Sequence, residues 1–191
     1  MALSLDPSIQ DKARQEIEQL QTEGISITYK KINHLPYCWA IFREVLRLFP
    51  TVPIVPRMVE KDYEHEGYKI PKGCRVLVNN LALGRNEKYF VNPLKFDPDR
   101  WSTDDKELRN YDLTRNFGGG MRLCIGKRFA EEESILLLAM ILSKFKISLH
   151  SINGRIIQDS SQVILTEIPT IANVTLSFEH PIGLLFEPIM N

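Results

Sequence analysis

Residues 117–129 read FGGGMRLCIGKRF, and this stretch carries most of the information about the fold. Its three consecutive glycines allow a tight loop that can approach a flat ligand without side-chain clashes. A lone cysteine, Cys124, follows the loop, and an apolar run further on, ILLLAMIL, is typical of a helix. A helix start presents backbone N–H groups that stabilise an anion. The stretch therefore predicts a thiolate directly before a helix.

Three kinds of site could use such a loop. A Walker phosphate loop requires GxxxxGK followed by Ser or Thr. Here Gly126-Lys127 is followed by Arg128, and Met121 stands where the first glycine belongs, so this motif is excluded. A nucleophilic cysteine would be activated by the helix start and by nearby basic residues, but it also needs a base. The four histidines form no pattern that supplies one.

The third kind of site is a metal bound by the thiolate. Phe117 at the start of the loop and Arg122 two residues before the sulfur suit a planar, anionic, iron-bearing ligand. Gly126 would let the helix pack closely on its far side. Haem is the ligand that has these properties.

Composition excludes several classes of protein. The chain has 191 residues, a net charge of +0, 43% hydrophobic and 25% charged residues, which are ordinary values for a globular protein. The balanced charge argues against nucleic-acid binding. The three cysteines lack a CxxC pair, so neither a disulfide framework nor a zinc site is expected, and Cys38 and Cys74 are interpreted as buried or half-buried free thiols. The longest apolar run, Ile135 to Leu142, is too short to span a bilayer, and the first residues lack a signal peptide's features.

Local patterns predict an α+β fold that is helix-rich in its first two thirds. Asp6 and Pro7 begin a helix with an apolar stripe, and Gly24 ends it. The next predicted elements are a helix from Pro36 to Phe49, extended chain at 51–57, and short strands from Val59 to Val78 with a turn at Glu66-Gly67. An irregular segment from Leu81 to Tyr111 follows. The last predicted elements are an interior helix from about Ile125 to Lys144 and strands around KISLH, QVILT and NVTLSF.

Within the second helix, Glu44 and Arg47 are three residues apart and so share one face. The pair is either a surface ion pair of small energetic value or a buried pair, because apolar residues surround it on both sides.

Several blocks together resemble one family. The segment from Phe117 to Gly126 resembles the haem-binding loop of the cytochrome P-450 superfamily, FxxGxRxCxG, with every fixed position present. EVLR at 44–47 resembles the ExxR motif of that superfamily, and FDPDRW at 96–101 resembles the segment that completes its Glu-Arg-Arg triad. RLFPTVPIVPR and GYKIPKG resemble its connecting strands. The likeness extends from the first helix to the end of the chain.

The resemblance implies a helix-rich cytochrome P-450 fold with small β-sheets, of which only the C-terminal, proximal half is present. Members are well over twice this length. Residues 1–191 are therefore expected to be the C-terminal part of a single haem-thiolate monooxygenase domain whose N-terminal half is absent. The missing half would include the long helix over the distal haem face.

The resemblance also implies the cofactor, haem b (iron protoporphyrin IX), and residue roles. Cys124 would be the axial thiolate and the catalytic residue, since a thiolate ligand favours O–O cleavage. Arg122 and Arg57 would pair with haem propionates, and Phe117 would exclude water from the Cys124 sulfur. The implied cofactor-binding residues are Phe117, Gly120, Arg122, Cys124, Gly126 and Arg57.

Other residues receive structural or substrate roles by the same resemblance. Glu44, Arg47 and Arg100 would form a structural triad that joins the second helix to the irregular segment. Val52, Ile54 and Val55 match a substrate-lining strand, although plain core packing is an equal alternative. 

The implied reaction is insertion of one atom of dioxygen into an apolar, sterol-like substrate, with electrons from a ferredoxin-type donor or a flavoprotein reductase.

The sequences GKRFAE and ALGRN and the position of Arg43 are more similar to the mitochondrial branch, which favours the mitochondrial inner membrane over the endoplasmic reticulum. Membrane association would occur only through the missing N-terminal region, and the fragment alone would be inactive. The alternative is a truncated, non-catalytic haem-binding or regulatory protein.

Overall fold

The computed structural model describes residues 1–101, 115–172 and 175–189. Its α-helices are α1 (Ala2–Leu5), α2 (Pro7–Thr22), α3 (Pro36–Leu48), α4 (Asn80–Gly84) and α5 (Lys127–Leu142). Its strands are β1 (Ile54–Met58), β2 (Tyr63–His65), β3 (Tyr68–Ile70), β4 (Arg75–Asn79), β5 (Phe145–Ile152), β6 (Arg155–Ile156), β7 (Thr170–Ala172), β8 (Leu176–Phe178) and β9 (Ile182–Pro188). This mixture confirms the α+β class.

Helices α2, α3 and α5 form the main core. Helix α2 begins as predicted, because the Asp6 carboxylate accepts a hydrogen bond from the Ser8 N–H at 3.0 Å and Pro7 occupies the first helical position. Its predicted apolar stripe is buried. The buried apolar residues of this core are Leu3, Ile9, Ala13, Ile17, Leu20, Ile32, Leu35, Cys38, Ile41, Ile135, Ala139, Leu142 and Ile147.

Every strand pair among the described residues is antiparallel. Strand β1 pairs with β4, so Arg57 lies opposite Val76. Strands β2 and β3 form a hairpin around the predicted turn, in which Glu66 and Gly67 both have positive φ, 48° and 82°. Strand β5 lies between β6 and β9, and β7 pairs with β8. The short sheets frame the helices and place β1 beside the glycine-rich loop.

Helix α5 differs from its sequence-based prediction. We expected an interior helix, yet Leu137 is 56% exposed and Met140 is 47% exposed, while Ile135, Ala139 and Leu142 are buried. The physical reason is that an apolar sequence does not specify how many faces receive a neighbour. In the residues that the structure describes, α2, α3 and β5 cover one side of α5.

The prediction of a strand at QVILT is also wrong. This segment forms 3-10 turns at Ser160–Gln162 and Leu165–Glu167. The Asp159 side chain accepts a hydrogen bond from the Ser161 N–H at 2.9 Å and thereby starts a turn instead of a strand.

Three further predictions have mixed outcomes. The KISLH prediction is confirmed by β5. Of NVTLSF, Leu176–Phe178 form β8, and residues 173 and 174 lie outside the described residues. The irregular segment contains the short helix α4 and a 3-10 turn at Pro98–Trp101, and its residues 102–111 also lie outside.

No helix within the described ranges is long and apolar enough to cross a membrane.

Candidate haem-binding site

The glycine-rich loop is held by hydrogen bonds of its own backbone. The Gly118 N–H donates to the Arg115 carbonyl at 2.8 Å, and the Cys124 N–H donates to the Phe117 carbonyl at 2.9 Å. Gly118 and Gly120 have φ of 75° and 61°, a region that only glycine enters at little cost. The Lys127 N–H, at the start of α5, donates to the Cys124 carbonyl at 3.2 Å. These bonds fix the cysteine directly before the helix, as the sequence predicted.

The Cys124 side chain is exposed and lines a cavity of about 430 Å³. Phe117, Arg57 and Arg122 line the same cavity, so β1 and the glycine-rich loop, which are distant in sequence, meet there. The further lining residues are Phe42, Leu46, Thr51, Val52, Val55, Asn116, Gly118, Ala130 and Ser134. The structure thus brings the predicted ligand and both predicted propionate-binding arginines to one place.

The predicted substrate-lining residues divide between two faces. Val52 and Val55 line the cavity. Ile54 is 45% exposed and is not among the cavity's lining residues. Successive strand side chains point to opposite faces, which explains why Ile54 differs from Val55.

Arg57 and Arg122 give the cavity positive charge. The Arg57 side chain donates a hydrogen bond to the Pro56 carbonyl at 2.9 Å, and its Nη2 lies 3.6 Å from where a Cβ on Gly118 would stand. Neither arginine forms a salt bridge to a carboxylate of the described chain. Guanidinium groups bind carboxylates through two parallel N–H donors, so both are available to an anionic ligand.

These residues fit haem b. Cys124 would supply one sulfur ligand, and the two arginines match two propionate carboxylates in number and charge. A Cβ on Gly118 would lie 3.2 Å from the Arg122 carbonyl oxygen, so a side chain there would crowd the loop. The donor set therefore suits a thiolate-bound, anionic porphyrin.

Gly126 behaves differently from the expectation of close helix packing. In the described chain, Cys124 Sγ at 3.9 Å is the one atom within 4 Å of where its Cβ would stand. That is an ordinary van der Waals distance, so no close packing requires glycine at this position.

The Glu44 carboxylate is the centre of a buried network. Glu44 and Arg47 are both 0% exposed, which excludes the surface ion-pair interpretation. Oε1 accepts hydrogen bonds from Arg47 Nη2 at 2.8 Å, Arg100 Nε at 3.0 Å and the Asp97 N–H at 2.9 Å. Oε2 accepts from Arg47 Nε and Trp101 Nε1, at 2.8 and 2.9 Å. A buried charge is tolerated when it is paired and hydrogen-bonded in this way.

The arginines of this network extend it to backbone carbonyls. Arg47 donates to the carbonyls of Gly84, Pro93 and Lys95, and Arg100 donates to the Val91 carbonyl at 3.0 Å. The Arg47 guanidinium also lies 5.0 Å from the centre of the Phe90 ring. The network therefore ties α3 to residues 84–101.

Sequence reasoning missed two residues. Trp101 donates to Glu44, and its position beside Arg100 in FDPDRW was the available signal. Glu16 caps α3 from α2, since its carboxylate accepts hydrogen bonds from the Tyr37 and Cys38 N–H groups at 2.7 and 3.1 Å. No sequence signal identifies this contact, because capping residues are sought next to the helix that they cap.

Burial around this cap shifts the pKa values of two groups, the Glu16 carboxyl and the Cys38 thiol. Burial raises the pKa of the Glu16 carboxyl, and the Tyr37 and Cys38 N–H groups oppose the rise. Burial, followed by the nearby Glu16 charge, raises the pKa of the Cys38 thiol well above its ordinary range. Cys38 is therefore an inert core thiol, in contrast to the exposed Cys124. The prediction of a buried or half-buried thiol is confirmed for Cys38 and wrong for Cys74, which is exposed in the segment directly before β4.

The residues around Cys124 suit a haem-thiolate protein, and comparison with known proteins shows the family. The family model described as Cytochrome P450 matches residues 1–174. The chain belongs to this family, whose cofactor is haem b.

Its relatives include enzymes that act on different substrates. The chain is 35% identical to the mitochondrial cholesterol side-chain cleavage enzyme of Capra hircus, over 98% of this chain and 33% of the relative. It is 30% identical to the mitochondrial sterol 26-hydroxylase of Homo sapiens, over 96% and 33%. It is 37% identical to geraniol 8-hydroxylase of Catharanthus roseus, over 73% and 29%. The chain thus spans about a third of the length of these relatives.

Proposed function

We propose that this chain supplies the haem-thiolate centre of a monooxygenase, with Cys124 as the iron ligand. The observation that carries the proposal is the convergence of the exposed Cys124 sulfur with Arg57 and Arg122 around one cavity. When bound, haem would supply the iron chemistry that activates dioxygen and inserts one oxygen atom into an organic substrate.

The protein residues hold and shield this centre. The hydrogen bond from the Cys124 N–H to the Phe117 carbonyl holds the backbone that carries the sulfur. Phe117 limits water near the sulfur. Arg57 and Arg122 fix the orientation of the porphyrin through its carboxylates, and the Glu44 network holds α3 against residues 84–101.

The thiolate ligand is tested by substitution of the cysteine. Cys124→Ser should abolish the ferrous–carbon monoxide absorbance band that is characteristic of haem-thiolate proteins. Cys74→Ser is the matched control, since Cys74 is also an exposed free thiol but lies outside the cavity. A band that persists in Cys124→Ser, or that is lost equally in Cys74→Ser, would exclude Cys124 as the ligand.

The proposed substrate is an apolar, sterol-like molecule. Two relatives at 30–35% identity are named for sterols, and Val52 and Val55 give the cavity an apolar wall. Titration of the holoprotein with cholesterol should shift the haem Soret band, and geraniol, named in the plant relative, serves as the comparison. A shift with geraniol and none with cholesterol would exclude the sterol proposal.

The proposed electron donor is a ferredoxin-type protein, with a flavoprotein reductase as the other candidate. The proposed location is the mitochondrial inner membrane, in preference to the endoplasmic reticulum, because the relatives at 30–35% identity that match nearly all of the chain are named as mitochondrial. Reduction of the holoprotein by each donor, at matched concentration, distinguishes the two partners.

We propose further that residues 1–191 form the proximal part of a larger catalytic domain. The exposed apolar side chains of α5, Phe129, Leu137 and Met140, support this proposal because a solvent-facing apolar face is costly. Expression of residues 1–191 with haem tests it. A protein that aggregates and binds no haem supports the proposal. A stable protein with thiolate-bound haem supports the alternative, an autonomous non-catalytic haem-binding or regulatory protein.

A further inference from the structure

A second cavity shares Arg57 with the Cys124 cavity. It has a volume of about 400 Å³ and shares Val55, Arg57 and Gly118 with the Cys124 cavity. Its other lining residues are Val78, Leu83, Arg115 and Gly119. Arg115 belongs to no motif that identified the haem site, and the proposed function gives it no role.

The Arg115 side chain lies against the glycine-rich loop and lines this cavity. Arg115 has φ of 42°, an uncommon value for a residue other than glycine, and its carbonyl accepts the Gly118 N–H. Nη1 of Arg115 occupies the space that a Cβ on Gly119 would fill. The guanidinium therefore lies over the glycine-rich loop.

Arg57 and Arg115 are two cations that line one cavity. Arg115, like Arg57, forms no salt bridge to any carboxylate of residues 1–101, 115–172 and 175–189. Two neighbouring positive charges repel each other unless an anion lies between them. Their forked N–H donors match a carboxylate, which can accept from both. The ligand class that fits this arrangement is a carboxylate.

We propose that Arg115, together with Arg57, binds one of the two propionate carboxylates of haem, and that Arg122 binds the other. This inference rests on the proposed function. Both cavities are lined by Arg57, so a carboxylate bound at Arg57 also lies next to the cavity that Arg115 lines. Arg115 is thus a third arginine of the cofactor site.

The test measures haem release from the natural holoprotein to excess apomyoglobin. Arg115→Gln should release haem roughly five- to tenfold faster, as expected for loss of a charge-assisted hydrogen bond. The haem release rate of Arg115→Lys should lie between those of Arg115→Gln and wild type, because lysine keeps the positive charge but lacks the forked N–H donors of arginine. Arg155→Gln is the control, since Arg155 is an exposed arginine of β6 that lines neither cavity. The haem release rate of this variant should match that of wild type.

A second experiment tests whether the carboxylate that Arg115 binds is a haem propionate. Reconstitution with haem dimethyl ester removes both propionate charges, so the release rates of wild type and Arg115→Gln should become equal. Equal rates with ordinary haem would overturn the proposal. A difference that persists with the ester would also overturn it, because Arg115 would then act on something other than haem carboxylates.

The result is separable from the proposed function. Arg115→Gln should keep the ferrous–carbon monoxide band of wild type, because Cys124 is untouched. Loss of that band in wild type would defeat the proposed function itself. If Arg115→Gln fails to fold, Arg115→Lys with the two cofactors gives the same comparison.

Discussion

Both carboxylate oxygens of Glu44 accept hydrogen bonds from Arg47, at 2.8 Å each, within one turn of α3 and without solvent exposure. This bidentate pair neutralises two charges inside the protein and leaves the remaining Arg47 donors free to reach the carbonyls of Gly84, Pro93 and Lys95. One ion pair therefore determines how α3 lies against residues 84–101.

Removal of the Glu44 charge should be severely destabilising. Glu44→Gln leaves Arg47 and Arg100 buried without their carboxylate, and we expect the free energy of unfolding to fall by about 3–5 kcal/mol. Urea unfolding measures the change, and Glu18→Gln on the exposed face of α2 is the control. Glu44→Ala should in addition yield protein that lacks haem. A haem-replete Glu44→Ala protein with wild-type stability would contradict the role of the network.

A methyl group at Gly84 should disturb the same network from its other end. A Cβ on Gly84 would overlap the Arg47 carbonyl oxygen, which belongs to the helix backbone and cannot rotate away. We expect Gly84→Ala to lower the free energy of unfolding by about 1–3 kcal/mol. Gly126→Ala is the comparison, because its Cβ would meet Cys124 Sγ at an ordinary 3.9 Å. Equal stability of the two variants would show that residue 84 has room for a side chain.

The three thiols should differ in reactivity. Cys74 and Cys124 are exposed, whereas Cys38 is 0% exposed and its thiol pKa is raised by burial. In the native, haem-free protein, a maleimide reagent should label two thiols rapidly and the third only after denaturation in urea. Mass spectrometry of labelled peptides identifies them. Rapid native labelling of Cys38 would mean that α2 and α3 separate in solution.

The Glu16 cap should make stability depend on pH. Because burial raises the pKa of Glu16, the folded protein binds its proton more tightly than the unfolded chain does. The stability gained from this group is complete below the ordinary carboxyl pKa and is lost as the pH rises through the folded value. The difference in unfolding free energy between wild type and Glu16→Gln should therefore decrease from acid toward neutral pH. A difference that grows over that range would reverse the assigned sign.

Local sequence signals were sufficient for the helices that begin with a strong cap. Asp6 and Pro7 specify the start of α2, and Pro36 and Pro50 bracket α3 within one residue of its observed end, because these signals act through the backbone nearby. The QVILT segment was mispredicted because β-branched residues favour a strand only where a partner strand lies beside them. There, the Asp159 turn prevailed.

The sequence alone determined the chemistry of the candidate site. The loop around Cys124 predicts a thiolate-bound haem from its residue types, and the Glu44–Arg47 spacing and FDPDRW support this through their resemblance to motifs of the family. These patterns hold because the loop geometry and the helix spacing are local properties of the chain.

Only the tertiary structure decided which residues meet. It placed Val55 in the cavity and Ile54 outside it, joined Trp101 to Glu44, and set Arg115 beside Arg57. It also left one face of α5 exposed. Such contacts depend on how separate elements pack, and packing responds to the neighbours in space of each residue and not to its neighbours in sequence.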